Sequence, residues 1–545
     1  MKKIATLLLA AGLVFSAATG ASAIDFKAKG QWIMSFDYGQ NGNFMGKNNG
    51  HKLTGWNGKE DDFEARQRIR LQLDAVASES LSGTVAFEIG NQIWGKDADG
   101  GALGADGKQV KVRWAYIDWM VPETDLKVRM GLQPLATPAY ASGNSVLNAD
   151  VAAVVASYQI NEMAAVTAFW ARPFNDNFAG YTDQYHNSDN NNAGWRANYM
   201  DNMDMVGLLV PLTFDGVKVT PWGMYSAIGP NTFRNATGTK TNGVWSDTDN
   251  ALGNIVGSDA SLVKGGLFPV GGARHKDFTN ANGIASRKLS TYGNAWWGGI
   301  SGEISIWDPF RVAFDFDYGS VTWEDDGRLN RQGWFATLLA EYKLDWATPG
   351  LYGWYSSGDD NNPANGSERL PSLGYENTNN YSNFAFDGDP YIARDHVVGR
   401  SMAGTWGVGA RLKDMSFIED LKHTFRVNLI GGTNSKGMAK RMSEAGLWAN
   451  GTDLGDGGLP GPRNSSSFGL GHEELYLTTG DTALEFGLSN YYKMYDNFTI
   501  ALEADYMALW LDTGKTAWGA RHRVGKSIPE TKDAWNINAS FVYSF

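Results

Sequence analysis

From Phe26 to Tyr38 every second residue is apolar or small: Phe26, Ala28, Gly30, Trp32, Met34, Phe36 and Tyr38. Lys27, Lys29, Gln31, Ser35 and Asp37 fill most of the other positions. A period of two places the two sets on opposite faces of a strand, one greasy and one wet. The segment Glu64 to Ala77 repeats the pattern, with Ala65, Ile69, Leu71, Leu73, Ala75 and Ala77 set against Glu64, Arg66, Arg68, Arg70, Gln72 and Asp74. The same reading predicts strands at Leu81–Ile89, Val110–Met120, Leu126–Leu132, Val151–Tyr158, Ala164–Ala171, Met205–Leu212, Val217–Ile228, Asn294–Ser305 and Phe310–Thr322. It continues with Gln332–Lys343, Ala347–Ser357, Ala403–Leu412, Thr424–Gly432, Thr482–Tyr492, Phe498–Leu511 and Ala534–Phe545, which makes eighteen strands, with sixteen as the alternative count.

The connections between these strands alternate in length. Short ones fall at Ser78–Ser80, Val121–Asp125, Ile160–Met163, Phe214–Gly216, Ile306–Pro309, Leu344–Trp346, Lys413–His423 and Lys493–Asn497. Long ones lie between them, among them Gly229–Gly293, Gly358–Met402 and Thr433–Asp481. Short turns on one side and long loops on the other, with an even strand number, are the pattern of an all-β, antiparallel transmembrane barrel whose two termini share a side. Asn- and Asp-rich stretches such as Asn187–Gly194 read as loop tips.

Composition agrees with a barrel. Trp (21), Tyr (22) and Phe (26) are abundant and Gly reaches 66, yet mean hydropathy is only −0.34. Alternation hides apolar residues one face at a time, so a membrane barrel needs no long greasy run. The start of the chain reads M-K-K, then an apolar stretch from Ile4 to Phe15, then Ala21-Ser22-Ala23, the pattern of a cleaved export signal over residues 1–23. A single barrel domain over 24–545 follows, because the strand at Phe26 leaves no space for a plug. Loss of Lys2 and Lys3 takes the net charge from −12 to about −14, which argues against nucleic acid as a partner. With no cysteine, disulfides and thiolate metal sites are excluded.

Candidate chemistry sits on the wet faces. Arg66, Arg68, Arg70, Lys111, Arg113, Lys127 and Arg129 occupy alternate positions on strands two, four and five. With neighbouring strands about 4.8 Å apart they form a basic wall on one side of a lumen, which raises the local anion concentration. The alternative is that these charges only solvate a wide channel or pair with Glu64, Asp74, Glu88 and Asp118. Asp315, Asp317 and Glu341, joined by Glu503 and Asp505, fall on lumen faces of strands that lie across the ring, so a transverse field is expected. The loop Gln133–Asn148, carrying Gln133, Pro134, Pro138 and Tyr140, is expected to fold inward and narrow the pore; an ordinary outer loop is the alternative. The last strand alternates Trp535, Ile537, Ala539, Phe541, Tyr543 and Phe545 with polar partners, and Phe541, Tyr543 and Phe545 read as a terminal barrel-assembly signal. His51, His186, His275, His396, His423, His472 and His522 lack metal-ligand spacing. The pairs Asp359-Asp360 and Asp387-Gly388-Asp389 lack the ligand set of a calcium loop. No metal, no cofactor and no catalytic motif is therefore expected.

Four stretches carry a family likeness: A-I-D-F-K-A-K-G-Q-W (Ala23–Trp32), Y-K-L-D-W-A-T-P-G-L-Y-G-W-Y (Tyr342–Tyr355), D-L-K-H-T-F-R-V-N-L-I-G-G-T-N (Asp420–Asn434) and E-F-G-L-S-N-Y-Y-K-M-Y-D-N-F-T-I-A-L-E-A-D-Y (Glu485–Tyr506). In these the chain resembles the outer-membrane homotrimeric porins of sulfate-reducing bacteria. The resemblance implies a trimer of barrels in the outer membrane, contacting its lipids and lipopolysaccharide and delivered by the export and barrel-assembly machinery. It also implies passive passage of small hydrophilic solutes, with small anions and organic acids as cargo. A structural or adhesive barrel without conductance is the rival expectation.

Overall fold

The computed structural model describes residues 24–40, 44, 63–97, 100–104, 110–175, 202–229, 240–241, 244–245, 266–269, 291–324, 327–362, 364–373, 379–386, 388, 391–392, 397–398, 401–439, 476–512 and 532–545. Residues 1–23, the loop tip Asn187–Gly194, Asp387, Asp389 and every histidine except His423 lie outside the described residues.

The barrel strands are β1 (Asp25–Gln40), β2 (Phe63–Ser78), β3 (Leu81–Ile93), β4 (Lys111–Met120), β5 (Leu126–Ala136), β6 (Asn148–Asn161) and β7 (Ala164–Asn175). Then come β8 (Asn202–Leu209, resumed at Leu212–Phe214), β9 (Val217–Ile228), β10 (Gly293–Trp307), β11 (Phe310–Thr322) and β12 (Arg331–Tyr342). The ring is completed by β13 (Thr348–Ser356), β14 (Thr405–Ile418), β15 (Leu421–Gly432), β16 (Thr482–Tyr495), β17 (Phe498–Trp510) and β18 (Ala534–Ser544). The two pieces of β8 pair with the same neighbours, β7 and β9, so they occupy one position. They are separated at Pro211, which has no N–H to give the ladder.

Every strand is antiparallel to its neighbours, and the ring closes where β1 pairs with β18, Gln31 opposite Ser544 through Gln40 opposite Trp535. The closure is completed below the last strand, where Gly30 and Phe545 exchange backbone hydrogen bonds at 2.8 and 3.0 Å. Eighteen strands is therefore the observed count, and the sixteen-strand alternative is set aside. Boundaries moved where bulges interrupt the alternation. The expected turn Lys413–His423 is mostly ladder, since β14 runs to Ile418 and β15 starts at Leu421, with register shifts at Leu412, Met415 and Ile418.

The alternation read from sequence sorts side chains as expected. Outward positions such as Trp32, Trp170, Trp296, Leu338, Leu351, Val408, Leu502, Ile537 and Tyr543 are exposed, while inward neighbours such as Ser35, Asp37, Asn538 and Ser540 are buried. Outward rings run in stacks across strands, as in Phe316, Trp334 and Tyr355 with centroids 6.4 and 5.2 Å apart. An exposed apolar belt with aromatic rims on a closed sheet is the surface that a bilayer solvates. Among the described residues no helix is long and apolar enough to cross a membrane, which says nothing about crossing by strands.

An eighteen-strand barrel is wide enough to enclose an aqueous channel. Here part of that space is taken up by protein. The large buried side chains lie inside the ring: Tyr381, Phe384, Phe386, Leu370 and Leu373 from the β13–β14 loop pack against Trp297, Phe335, Tyr352 and Trp354 of the wall.

Candidate solute passage

The β5–β6 connection turns into the barrel. It is shorter than the sequence reading, because Gln133 and Pro134 belong to β5 and Asn148 opens β6. Gln133 is buried, its amide donating to the carbonyl of Ala153 at 2.8 Å, and Pro134 faces outward. Residues 137–147 form the inward loop. The backbone N–H groups of Tyr140, Ala141 and Ser142 all donate to the Asp315 carboxylate at 2.7, 2.9 and 3.1 Å, and Ser145 Oγ donates to Asp317. Ser301 Oγ holds the carbonyl of Pro138 at 3.0 Å, and the Tyr140 hydroxyl meets Thr220 at 3.2 Å.

That docking corrects one expectation. Asp315 and Asp317 are only 2% and 3% exposed, so they do not face a water-filled lumen as opposing acids. Asp315 serves otherwise unpaired loop amides, which need acceptors once buried, and Asp317 takes the Ser145 hydroxyl. Glu503 and Asp505 are likewise covered. The transverse field expected from these acids is not what the geometry builds.

The β13–β14 loop was read from sequence only as a long outer loop. It also enters the lumen. Tyr381 stacks on Tyr352 at 4.1 Å and 6° and on Trp354 at 5.8 Å, and its hydroxyl meets Thr337 at 2.8 Å. Ser382 Oγ donates to Glu485 at 2.5 Å, and Asn383 Nδ2 to Ser489 and Glu503 at 2.5 and 3.1 Å. Further along, Ile392 packs on Ile33 and Val542, and Arg66 reaches its carbonyl at 3.5 Å. The apolar run Tyr381–Phe386, Y-S-N-F-A-F, was the available sequence signal, since loop tips seldom carry three aromatics in six residues.

The two loops are joined. Asn380 N–H donates to the carbonyl of Ser142 at 2.6 Å and Leu373 N–H to that of Val146 at 2.7 Å, so together they form a partition spanning the lumen from β9 to β1. Under it the inward side chains of the outer halves of β10 to β18 are buried. On β2 the inward positions stay partly exposed from Glu64 to Val76. Among the described residues, the space left open therefore runs between the partition and the β2–β5 wall.

The predicted basic residues stand on that wall, interleaved with acids. Arg66 pairs with Glu64, Arg70 with Glu88 at 2.7 Å, and Arg113 with Glu88 at 3.2 Å and Asp150 at 2.8 Å. Lys127 and Arg129 share Asp118 at 3.3 and 2.7 Å. A bulge between Ala86 and Phe87 shifts Arg113 out of simple alternation, Lys111 faces Glu88 in register, and Arg68 sits at the β2–β3 bulge. The pairing alternative weighed from sequence is thus realised in part. Seven cations meet the five carboxylates Glu64, Asp74, Glu88, Asp118 and Asp150, and the surplus is positive.

Beneath the partition, toward the short turns, lies a cavity of about 630 Å³. Arg311, Lys343, Arg411, Lys413 and Arg426 line it, against Glu341 and Asp308. Glu341 binds both Arg311 (2.9 Å) and Arg411 (2.7 Å). The three come from strands β11, β12 and β14, and Gly350 of β13 stands in register between Glu341 and Arg411. A Cβ there would lie 3.2 Å from Glu341 Cγ, so the glycine leaves the pair room to cross its strand. Sequence reasoning missed this basic group because its members are spread one or two per strand over a long stretch of chain.

No family model matches the chain, and no curated protein matches it. Among solved structures, it is similar to Pseudomonas aeruginosa OprD, with a TM-score of 0.45 at 9% identity over 95% of both chains. It is also similar to Pseudomonas aeruginosa OccK11 (OpdR), with a TM-score of 0.44 at 9% identity over 96% of both chains. A third, Pseudomonas aeruginosa OpdK with vanillate, has a TM-score of 0.44 at 8% identity, covering 95% of this chain and 98% of the other.

The other sequence candidates fall away from the passage. Phe541, Tyr543 and Phe545 face outward, with Tyr543 and Phe545 stacked at 5.6 Å. His423 lies in β15 with Nδ1 2.6 Å from Asn490 Oδ1. Asp359 accepts from Ser367 and Tyr476, and Asp360 takes the amide of Asn362 and its own N–H donates to Glu368. Among the described residues no group of three His, Cys, Asp or Glu side chains could hold a metal ion.

Proposed function

We propose that the chain forms a channel in a bacterial outer membrane for passive diffusion of small hydrophilic solutes, with a preference for small anions and organic acids. The observation that carries the reading is the passage itself: a closed, lipid-facing barrel whose free space is bounded on one side by the loop partition and on the other by the net-positive β2–β5 wall. In a narrow channel with low-dielectric surroundings, such a wall enriches anions. The basic cavity below the partition adds positive charge on the side of the short turns.

Residues 1–23 supply the export signal in this reading, Phe541, Tyr543 and Phe545 the recognition of the last strand by the assembly machinery, and three copies the working unit, contacting outer-membrane lipids and lipopolysaccharide. The likeness of Ala23–Trp32, Tyr342–Tyr355, Asp420–Asn434 and Glu485–Tyr506 to porins of sulfate-reducing bacteria supports the trimer and the cargo class. Reconstitution into planar bilayers tests the channel. Discrete conductance steps and an anion-directed reversal potential in a potassium chloride gradient are expected. A folded barrel that stays silent would leave the structural or adhesive reading in its place.

A further inference from the structure

Two arginines below the partition each hold one of its loops by a backbone carbonyl. Arg311 Nη2 donates to the carbonyl of Tyr140 in the β5–β6 loop at 3.2 Å, and Arg411 Nη1 to the carbonyl of Asn380 in the β13–β14 loop at 2.9 Å. One acid bridges the two guanidinium groups, and Glu303 also holds Arg311, through Nε at 2.9 Å and Nη2 at 2.8 Å. Glu341 Oε2 accepts from Arg311 Nη1 at 2.9 Å, while Oε1 accepts from Arg411 Nη2 at 2.7 Å and Nε at 3.2 Å. Tyr140 and Asn380 flank the point where the loops meet, through Asn380 N–H to the carbonyl of Ser142. All five residues, Tyr140, Arg311, Glu341, Asn380 and Arg411, line the 630 Å³ cavity, together with the cations Lys343 and Lys413.

The geometry points to an anion-binding site in this cavity whose occupation loosens the partition; this rests on the channel reading above. The ligand class is a small oxyanion, a mono- or dicarboxylate, for which guanidinium N–H groups are the matching donors. A carboxylate entering the cavity meets Lys343 and Lys413 as first cations and then competes with two neutral carbonyls for the outer N–H groups of Arg311 and Arg411. The competition favours the charged acceptor, because a carboxylate adds to the hydrogen bond a Coulombic attraction for the guanidinium that a neutral carbonyl lacks. Each donor that turns to the ligand leaves a loop carbonyl without its tie to the wall. The ligand then differs in affinity between the tied and untied arrangements, which is what a population shift requires. Glu341 keeps both arginines anchored during the exchange, so the ties can re-form when the solute leaves.

The test uses the absence of cysteine in the chain. A Ser142→Cys/Asn380→Cys variant can clamp the two loops by a disulfide, and conductance in planar bilayers is read in chloride and in succinate at equal ionic strength. Succinate on the side of the short turns raises unit conductance of the reduced protein above the ratio set by bulk conductivity. Oxidation removes that response and reductant restores it. Should the disulfide not close, Lys343→Gln gives the second reading: the succinate concentration for half response rises about tenfold, the loss of one charge-assisted contact. Conductance that tracks bulk conductivity in the unmodified protein, or a response indifferent to both the clamp and Lys343→Gln, overturns the inference while the channel stands. A protein silent in chloride overturns the channel reading and this inference with it.

Discussion

The backbone N–H of Tyr140 and the side chain of Asp315 lie 175 positions apart in the chain and 2.7 Å apart in the barrel. Asp315 takes the next two amides of the loop as well, so one carboxylate satisfies three consecutive N–H donors. A wall acid that looked from sequence like part of the lumen's electrostatics is instead the fastening of the loop that shapes the lumen.

Asp315→Ala is therefore expected to act on the loop and to leave the sheet intact. Three amides lose their acceptor, and each buried donor left unpaired costs about 1–3 kcal/mol, so residues 137–147 detach in preference to staying docked. Single-channel recording should show larger and noisier unit conductance. Heat-dependent gel mobility, which reports barrel closure, should not change. An unaltered conductance would mean that the remaining ties, from Ser301, Thr220, Asp317, Arg311 and the β13–β14 loop, hold the loop without Asp315.

The strands were legible because a period of two, once one face must meet lipid, fixes which residues point out, and all eighteen segments could be placed from it. Boundaries failed where bulges at Met415 and Ile418 break that period locally, and at β5, where Gln133 and Pro134 continue the ladder through a proline. The basic wall was legible for the same reason as the strands: Arg66, Arg68 and Arg70 declare a face by spacing alone. What spacing cannot declare is depth within the lumen. Asp315 and Arg70 occupy equivalent inward positions, yet one is covered and the other partly open, because a loop from elsewhere in the sequence lies on only one of them. The plugging role of Tyr381 was hidden by the same long-range docking.

Charge on the β2–β5 wall should tune selectivity in both directions. Asp118 restrains Lys127 and Arg129, so Asp118→Asn leaves two cations without their shared acid and should move the reversal potential further toward anions. Arg129→Gln should move it the opposite way. Both shifts should shrink as salt rises from 0.1 M to 1 M, where the screening length falls from about 10 Å to about 3 Å. Shifts of the same sign in the two variants would remove this wall from the mechanism.

Tyr381 is the main anchor of the β13–β14 loop, wedged against Tyr352 and Trp354 with no exposed surface. Tyr381→Ala removes an aromatic side chain from a packed interior, a change that typically costs about 3–5 kcal/mol, and it also removes the contact to Thr337. The loss falls on loop docking, so limited proteolysis should cut within 379–386 in the variant and spare that stretch in the wild type. Tyr381→Phe keeps the stack and should restore protection almost fully.

The turn at Asp359–Glu368 of the same loop should respond to pH. Burial, with Asp359 and Asp360 close by, pushes the Glu368 carboxyl from its ordinary 4.5 up to about 7, against the stabilising hydrogen bond from Asp360 N–H. A group whose folded value is raised adds stability that is whole below the unfolded value and disappears as pH rises through the folded one. The turn around residues 359–368 is thus tightest below about pH 4.5 and loosens as pH climbs to about 7. Hydrogen exchange of its amides, corrected for intrinsic rates, should show falling protection over that interval and a plateau above it. Glu368→Gln cannot ionise, so its protection should stay at the low-pH level throughout. A wild-type profile flat across the interval, or a Gln variant that still loses protection, would place the sensitivity elsewhere than Glu368.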